Sequence, residues 1–142
     1  SKWLDPDGVP CYVRDLVCHS WYGIPLKMNI VTKPWGSYKD LERNYFRVVK
    51  IITISPNQRF SLQKHSKREE FWYILSGTGI ITLDSETKDV SSKDHFYIPI
   101  GLIHRLQAGI NGIEFLEIQQ GECEESDIVR IEDDYNRVTD GL

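Results

Sequence analysis

No run of apolar residues in this 142-residue chain approaches the roughly 18 that a membrane-spanning helix needs, and no basic start followed by an apolar core marks a secretory signal. Cysteine is sparse. Cys11, Cys18 and Cys123 are an odd number without metal-finger spacing, so a disulfide framework is excluded and each reads as an idle or buried thiol. With the missing signal, this points to a reducing, cytoplasmic location. Excess positive charge is absent too. The net charge is −4, with 17 Lys and Arg scattered among 21 Asp and Glu, which argues against nucleic acid as a partner. There is no Gly-rich phosphate loop, no internal repeat and no long segment with a 3.6-residue apolar period. What remains is ordinary globular composition, 40% hydrophobic and 27% charged, at about the length of one domain. The opening Ser1 is what a tag scar or a domain cut from a longer protein would leave.

Residues 1–36 are punctuated by Pro6, Gly8, Pro10, Gly23, Pro25, Pro34 and Gly36, which predicts an irregular arm with one short helix or strand. Its aromatics, Trp3, Tyr12, Trp21, Tyr22 and Trp35, predict packing on the body of the domain or on a second subunit. From about residue 44 short β-branched and aromatic runs follow one another: 46–54, 71–75, 79–83, 95–98, 113–118 and 128–131. Each is bounded by Gly, Pro, Asn, Asp or Ser, the pattern of a β-sandwich or barrel. The expectation is one all-β domain.

The chemistry concentrates in Ser61–Glu70. Gln63 and His65 are two apart, so an extended chain sends both side chains to one face. Glu70 opens the next strand, and His104 follows Pro99-Ile-Gly101 after a later one. An amide oxygen, a carboxylate and two imidazoles form a mixed N/O set suited to Zn, Mn, Fe, Co or Ni. Open coordination positions would make such a site catalytic rather than structural. A lone His or Gln in a strand is ordinarily a satisfied polar residue, so spacing alone does not decide the matter.

The surrounding pattern does more. Gln63-x-His65-x4-Glu70-x6-Gly77, followed by Pro99-x-Gly101-x2-His104, resembles the two cupin motifs, with Gln63 where most cupins carry their first His. Lys33-Pro-Trp-Gly36, Ser61-Leu-Gln63, Arg68 with Glu70-x-Trp72, Ser76-Gly-Thr78, Tyr97-Ile-Pro99, His104-Arg-Leu106 and the run from Asp127 to Tyr135 resemble one family in particular. It is the type II mannose-6-phosphate isomerase domain, found at the C-terminus of bifunctional mannose-1-phosphate guanylyltransferases and also alone. The similarity covers about residues 32–137. That divides the chain into an arm or linker, 1–31, and a cupin domain, 32–142. Three departures stand out: Ser66 and Lys67 follow His65 where the family has a run of His, Phe71 replaces a His, and Lys33 replaces an Arg. Ser66, Lys67 and Phe71 are candidates for the pocket lining, where they would alter the substrate.

The resemblance implies a jelly-roll barrel of the cupin type holding one divalent metal ion, zinc first and Mn, Co, Fe or Ni as alternatives. Gln63, His65, Glu70 and His104 would be the ligands. It implies an aldose–ketose isomerase that interconverts mannose 6-phosphate and fructose 6-phosphate through an enediolate. Two further readings accompany it: a non-catalytic cupin module that binds a sugar or sugar nucleotide, and a cupin isomerase or epimerase for another sugar phosphate. Arg105, Arg130 and Arg137, with Lys33, are the candidates for holding phosphate, since guanidinium matches it bidentately. Lys50, set in a β-branched run and sharing a face with Ile52 and Ile54, is read as a substrate contact or proton-transfer group. Glu117, Asp133 and Asp134 are other candidate bases, while His95 and His19 are taken as structural. The partner is thus a sugar-phosphate substrate, with neither nucleic acid nor membrane, and the aromatic arm suggests a homodimer.

Overall fold

The computed structural model describes residues 29–138, together with a two-residue pairing of β1 (Trp3–Leu4) against β2 (Pro10–Cys11). The expectations for Cys18, His19, Tyr12, Trp21 and Tyr22 lie outside the described residues, as do the side chains of Trp3 and Cys11. Nine antiparallel strands follow: β3 (Ile30–Lys33), β4 (Gly36–Arg43), β5 (Arg47–Ile54), β6 (Leu62–Lys64), β7 (Arg68–Leu83), β8 (Glu86–Ser91), β9 (His95–Ile98), β10 (His104–Gly121) and β11 (Val129–Glu132). They form one sheet in the order β11-β6-β10-β5-β4-β3, with β7 paired to β10, β8 and β9. Among the described residues there is no α-helix, and no helix is long and apolar enough to cross a membrane.

Sheet curvature comes from two long bent strands. The runs 71–75 and 79–83 are one strand, β7, rather than two, because the chain bends at Gly77 without leaving the ladder. Gly77 has φ +85° and faces Ile113 in β10, whose neighbour Gly112 has φ +73°. A Cβ on Gly77 would lie 2.2 Å from the Gly112 carbonyl oxygen, so the crossing requires glycine. Just before the bend the ladder slips: Phe115 faces Ile74 while Glu114 faces Ser76, leaving Leu75 as an extra residue. One extra residue exchanges the faces of a strand. Arg68, Glu70, Trp72 and Ile74 therefore point inward before it, and Ile81 after it.

The interior is zoned along its axis. Registered triplets across β5, β10 and β7 run Ile52–Phe115–Ile74, then Lys50–Glu117–Trp72, then Val48–Gln119–Glu70. The first belongs to an apolar core with Trp35, Ile54, Phe60, Ile81, Leu106 and Ile113. The next two carry the interior polar groups. Trp72 sits at the boundary, edge-on to Phe60 and tilted against Phe115.

Several strands differ from expectation at their edges. β3 starts at Ile30, within the span assigned to the arm, and β4 and β8 form from polar sequences, GSYKDLER and ETKDVS, lacking a β-branched run. Ladder bonds to β5 and β7 hold these two in place, so their sequences carry little signal of their own. Trp35 does pack on the body, within the core, and Cys123 is a buried free thiol.

Candidate metal centre

β6 delivers Gln63 and, just beyond it, His65; the start of β7 delivers Glu70; and the start of β10 delivers His104, whose Cα partners on either side are Gln63 and Leu83. Ligand atoms of His65, Glu70 and His104 all lie within 4.8 Å of one another. All three residues are buried.

Second-layer contacts define the protonation of both rings. His65 Nδ1 lies 2.6 Å from the Asp127 carbonyl, and His104 Nδ1 lies 2.8 Å from the Leu102 carbonyl. A carbonyl can only accept, so each Nδ1 carries the proton and each Nε2 lone pair is bare in the neutral ring. Those lone pairs point at Glu70. His65 Nε2 is 3.0 Å from Glu70 Oε1, and His104 Nε2 is 3.8 Å from Oε2. His104 Nε2 is buried with no hydrogen-bond partner.

Glu70 is ionised. Burial pushes its carboxyl up, but a hydrogen bond from His65, which needs a proton on Nε2, and positive charge on His104, His65 and Arg68 outweigh burial and hold it far below the usual carboxylate range. With both rings neutral, Arg68 and a bound cation are left to supply that charge. Burial pushes the His104 imidazolium down, against the pull of Glu70, so that ring is neutral at pH 7. Two lone pairs and a carboxylate converging this closely need a cation or an added proton among them. This donor set fits a divalent metal, and the carbonyl partners on Nδ1 are the usual orienting layer of metal-binding histidines.

Gln63 completes the set with a change of orientation. Its Oε1 accepts from Ser61 Oγ at 2.7 Å, and its Nε2 faces His65 Nε2 at 3.4 Å. A half-turn of the amide exchanges the two ends, presenting oxygen to the centre and an N–H donor to Ser61. Arg68 also reaches the centre, with Nε 3.3 Å from Glu70 Oε1 and a guanidinium nitrogen 3.4 Å from His65 Nε2.

The centre adjoins a cavity of about 100 Å³ whose wall includes Gln63 and Glu70, with the two imidazoles behind it. Lys50 lines it, its Nζ 2.9 Å from Glu125 Oε1 and 4.1 Å from the Tyr38 ring centroid. Glu117 and Gln119 line it from β10. Burial and the Glu70 charge push Glu117 up to about 7, with Lys50 opposing. Burial also pushes Glu125 up, but Lys50 and Arg43 outweigh it and bring that group down to about 2.

The family model described as mannose-6-phosphate isomerase C-terminal matches residues 26–133, from before β3 to the end of β11. The chain belongs to this family. The alginate biosynthesis protein AlgA of Pseudomonas aeruginosa is 40% identical over 112 residues, 78% of this chain and 23% of that protein. A mannose-1-phosphate guanylyltransferase of Escherichia coli is 36% identical over 110 residues, covering 76% of this chain and 23% of the relative. The chain therefore spans about a quarter of the length of these curated relatives. Among solved structures, oxalate decarboxylase from Bacillus subtilis superposes with a TM-score of 0.65 at 22% identity, over 73% of this chain and 30% of the other. That decarboxylase has Mn(II) centres. An RmlC-like cupin from Shewanella frigidimarina superposes with a TM-score of 0.62 at 15% identity, over 70% of this chain and 87% of the other. The fold is the cupin barrel.

Within this isomerase-family domain, Lys33, Lys50, Arg130 and Arg137 line the cavity. Arg105 does not. Its guanidinium is spent on the Phe60 carbonyl and on the carboxylate and carbonyl of Glu132, which removes it from the groups free to hold phosphate. Arg137 is tied to Asp133 through both carboxylate oxygens, and Asp134 pairs with Arg59; neither aspartate lines the cavity. Arg130 Nε is buried without a partner. His95 is exposed, its ring tilted against that of Phe71, and it does not line the cavity.

Of the departures from the family, Lys33 lines the cavity, whereas Ser66, Lys67 and Phe71 lie off its wall. Phe71 points outward on β7, Lys67 pairs with Glu122 and Glu124, and Ser66 bonds the Asp127 carboxylate. Sequence reading missed Asp127 and Glu125 as site residues. Both act from the loop after β10, and no local pattern ties them to His65 or Lys50. Arg68 and Gln119 carried a weaker signal, as polar residues on the inward phase of strands whose neighbouring positions are apolar.

Proposed function

We propose that this domain is a metal-dependent aldose–ketose isomerase interconverting mannose 6-phosphate and fructose 6-phosphate through an enediolate. The observation that supports it best is the convergence of two bare imidazole lone pairs on the ionised Glu70, beside a cavity whose wall carries unengaged basic groups. A divalent cation held by Gln63, His65, Glu70 and His104 supplies Lewis-acid stabilisation of the charge that develops on the sugar's O1 and O2.

The chain's own groups account for the rest. Arg130, with an unpartnered Nε, and Lys33, both on the cavity wall, would take the phosphate. Lys50, held between Glu125 and the Tyr38 ring face, brings positive charge to the sugar oxygens. Trp35, Tyr38 and Phe60 supply apolar wall that excludes water. The off-cavity placement of Ser66, Lys67 and Phe71 favours the family's own substrate over a different sugar phosphate.

Elemental analysis of the purified protein, with a coupled assay of mannose 6-phosphate conversion to fructose 6-phosphate, tests the reading. It expects about one divalent ion per chain and turnover that chelation abolishes and metal restores. Undiminished turnover in metal-free protein refutes the metal role. Bound metal without turnover refutes the isomerase and leaves a binding module.

A further inference from the structure

We propose that Glu117 is the acid–base residue of this site, the group that carries the proton between the two carbons of the sugar. The inference rests on the isomerase reading above and adds a residue to it.

Glu117 stands where the barrel interior changes from apolar to polar. In register it lies between Trp72 on β7 and Lys50 on β5, with Phe115 on its apolar side and Gln119 on its polar side. It is 6% exposed and forms part of the cavity wall. One oxygen, Oε1, accepts from Gln119 Nε2, while Lys50 gives its hydrogen bond to Glu125 instead. A buried carboxyl with no ion pair and one oxygen left to the cavity costs stability, and such groups concentrate where chemistry needs them.

The other carboxyls on this wall, and Lys50 with them, are committed elsewhere. Glu70 belongs to the metal set, Glu125 bridges Lys50 and Arg43, and Lys50 is engaged by Glu125 and the Tyr38 ring face. Asp133 and Asp134, the alternative bases, pair with Arg137 and Arg59 and do not line the wall themselves. The charged groups that face Glu117 are Lys50 from β5, Glu70 and Arg68 from β7, and Glu125 from the loop after β10. Their balance with burial leaves it titrating at about 7, where a carboxyl both takes and returns a proton.

The step balances within the substrate. Glu117 takes the hydrogen on C2 of the open-chain aldose; the C–H electron pair becomes the C1=C2 bond, and the carbonyl pair moves onto O1. Glu117 then returns the proton to C1 while the O2–H bond gives its electron pair to a new C2=O bond. The proton lost from O2 ends on O1, so the sugar is rearranged and Glu117 is regenerated, with no oxidant or reductant involved.

The test is Glu117→Gln in the metal-loaded protein, with Glu117→Asp beside it. Gln keeps an oxygen for Gln119 but holds no proton to exchange. The expected result is a fall in kcat of about 10²–10⁴-fold with KM little changed, and metal content equal to wild type. Exchange of the sugar's C2 hydrogen with D2O stops in Glu117→Gln and is partly rescued in Glu117→Asp. A Glu117→Gln protein within tenfold of wild-type kcat, or one that still exchanges C2 hydrogen, overturns the assignment while leaving the isomerase intact. If Glu117→Gln does not fold, a Glu117→Asp protein with wild-type kcat and exchange overturns it equally. A wild-type protein that binds metal but neither isomerises nor exchanges mannose 6-phosphate overturns both.

Discussion

Trp72→Phe separates the two layers that meet in this barrel. Trp72 is fully buried, with ring centroids 5.8 Å from Phe60 and 4.9 Å from Phe115, and its Nε1 donates to Glu70 Oε2 at 2.9 Å. Phenyl keeps most of the packing and removes the donor. A hydrogen bond to a buried charged acceptor is worth about 1.5–3 kcal/mol when its loss leaves that acceptor short. The smaller ring leaves a void against Phe60 and Phe115 that costs about 1 kcal/mol more. The total is about 2.5–4 kcal/mol. With a urea slope of about 2 kcal/mol/M, the unfolding midpoint of metal-free protein falls by about 1.2–2 M at unchanged slope. Pairing Trp72→Phe with Glu70→Gln in a double-mutant cycle isolates the bond, and the expected coupling is about 1–2 kcal/mol. A coupling indistinguishable from zero would falsify the claim that the indole holds Glu70 in place, whatever the packing loss.

Other perturbations read different parts of the structure. Glu117 titrates at about 7 in the folded chain against a usual value of 4.5, so its contribution is intact below the lower figure and lost as pH rises through the upper one. Urea midpoints of metal-free protein at pH 5 and pH 8 should therefore show Glu117→Gln gaining on wild type by roughly 2–3 kcal/mol, and parallel curves would refute the shift. Gly77→Ala places a Cβ 2.2 Å from the Gly112 carbonyl oxygen at φ +85° and should cost at least about 3 kcal/mol in a thermal melt, whereas a near-native melting temperature means that β7 does not bend there. Phe71→His, which restores the family's usual residue on the outer face, should leave metal content and turnover within about twofold of wild type. A tenfold change would put that position in the site after all.

Legibility followed the range of the interaction. Period-two alternation is a local property, so Gln63 and His65 could be placed on one face from the chain alone, and the β-branched runs 46–54 and 95–98 coincide closely with β5 and β9. The family pattern joined Glu70 and His104 to them, and in the fold those groups converge. Alternation does not say which face is inside. That depends on which strands close the barrel, and the extra residue at Leu75 then exchanges the faces partway along β7. Phe71 outside, Glu70 inside and Ile81 inside follow from that slip and not from any property of the residues themselves.

The sequence by itself determined an all-β chain, the identity of its metal-type donors and the two-residue spacing that aligns the first pair. Tertiary structure alone decided what surrounds them. The Asp127 carbonyl fixes the His65 tautomer from a loop remote in sequence, Glu125 claims Lys50, and Glu132 withdraws Arg105 from the cavity. Each is a contact between segments brought together by the curl of one sheet, and a hydrogen bond of that kind leaves no periodic trace along the chain.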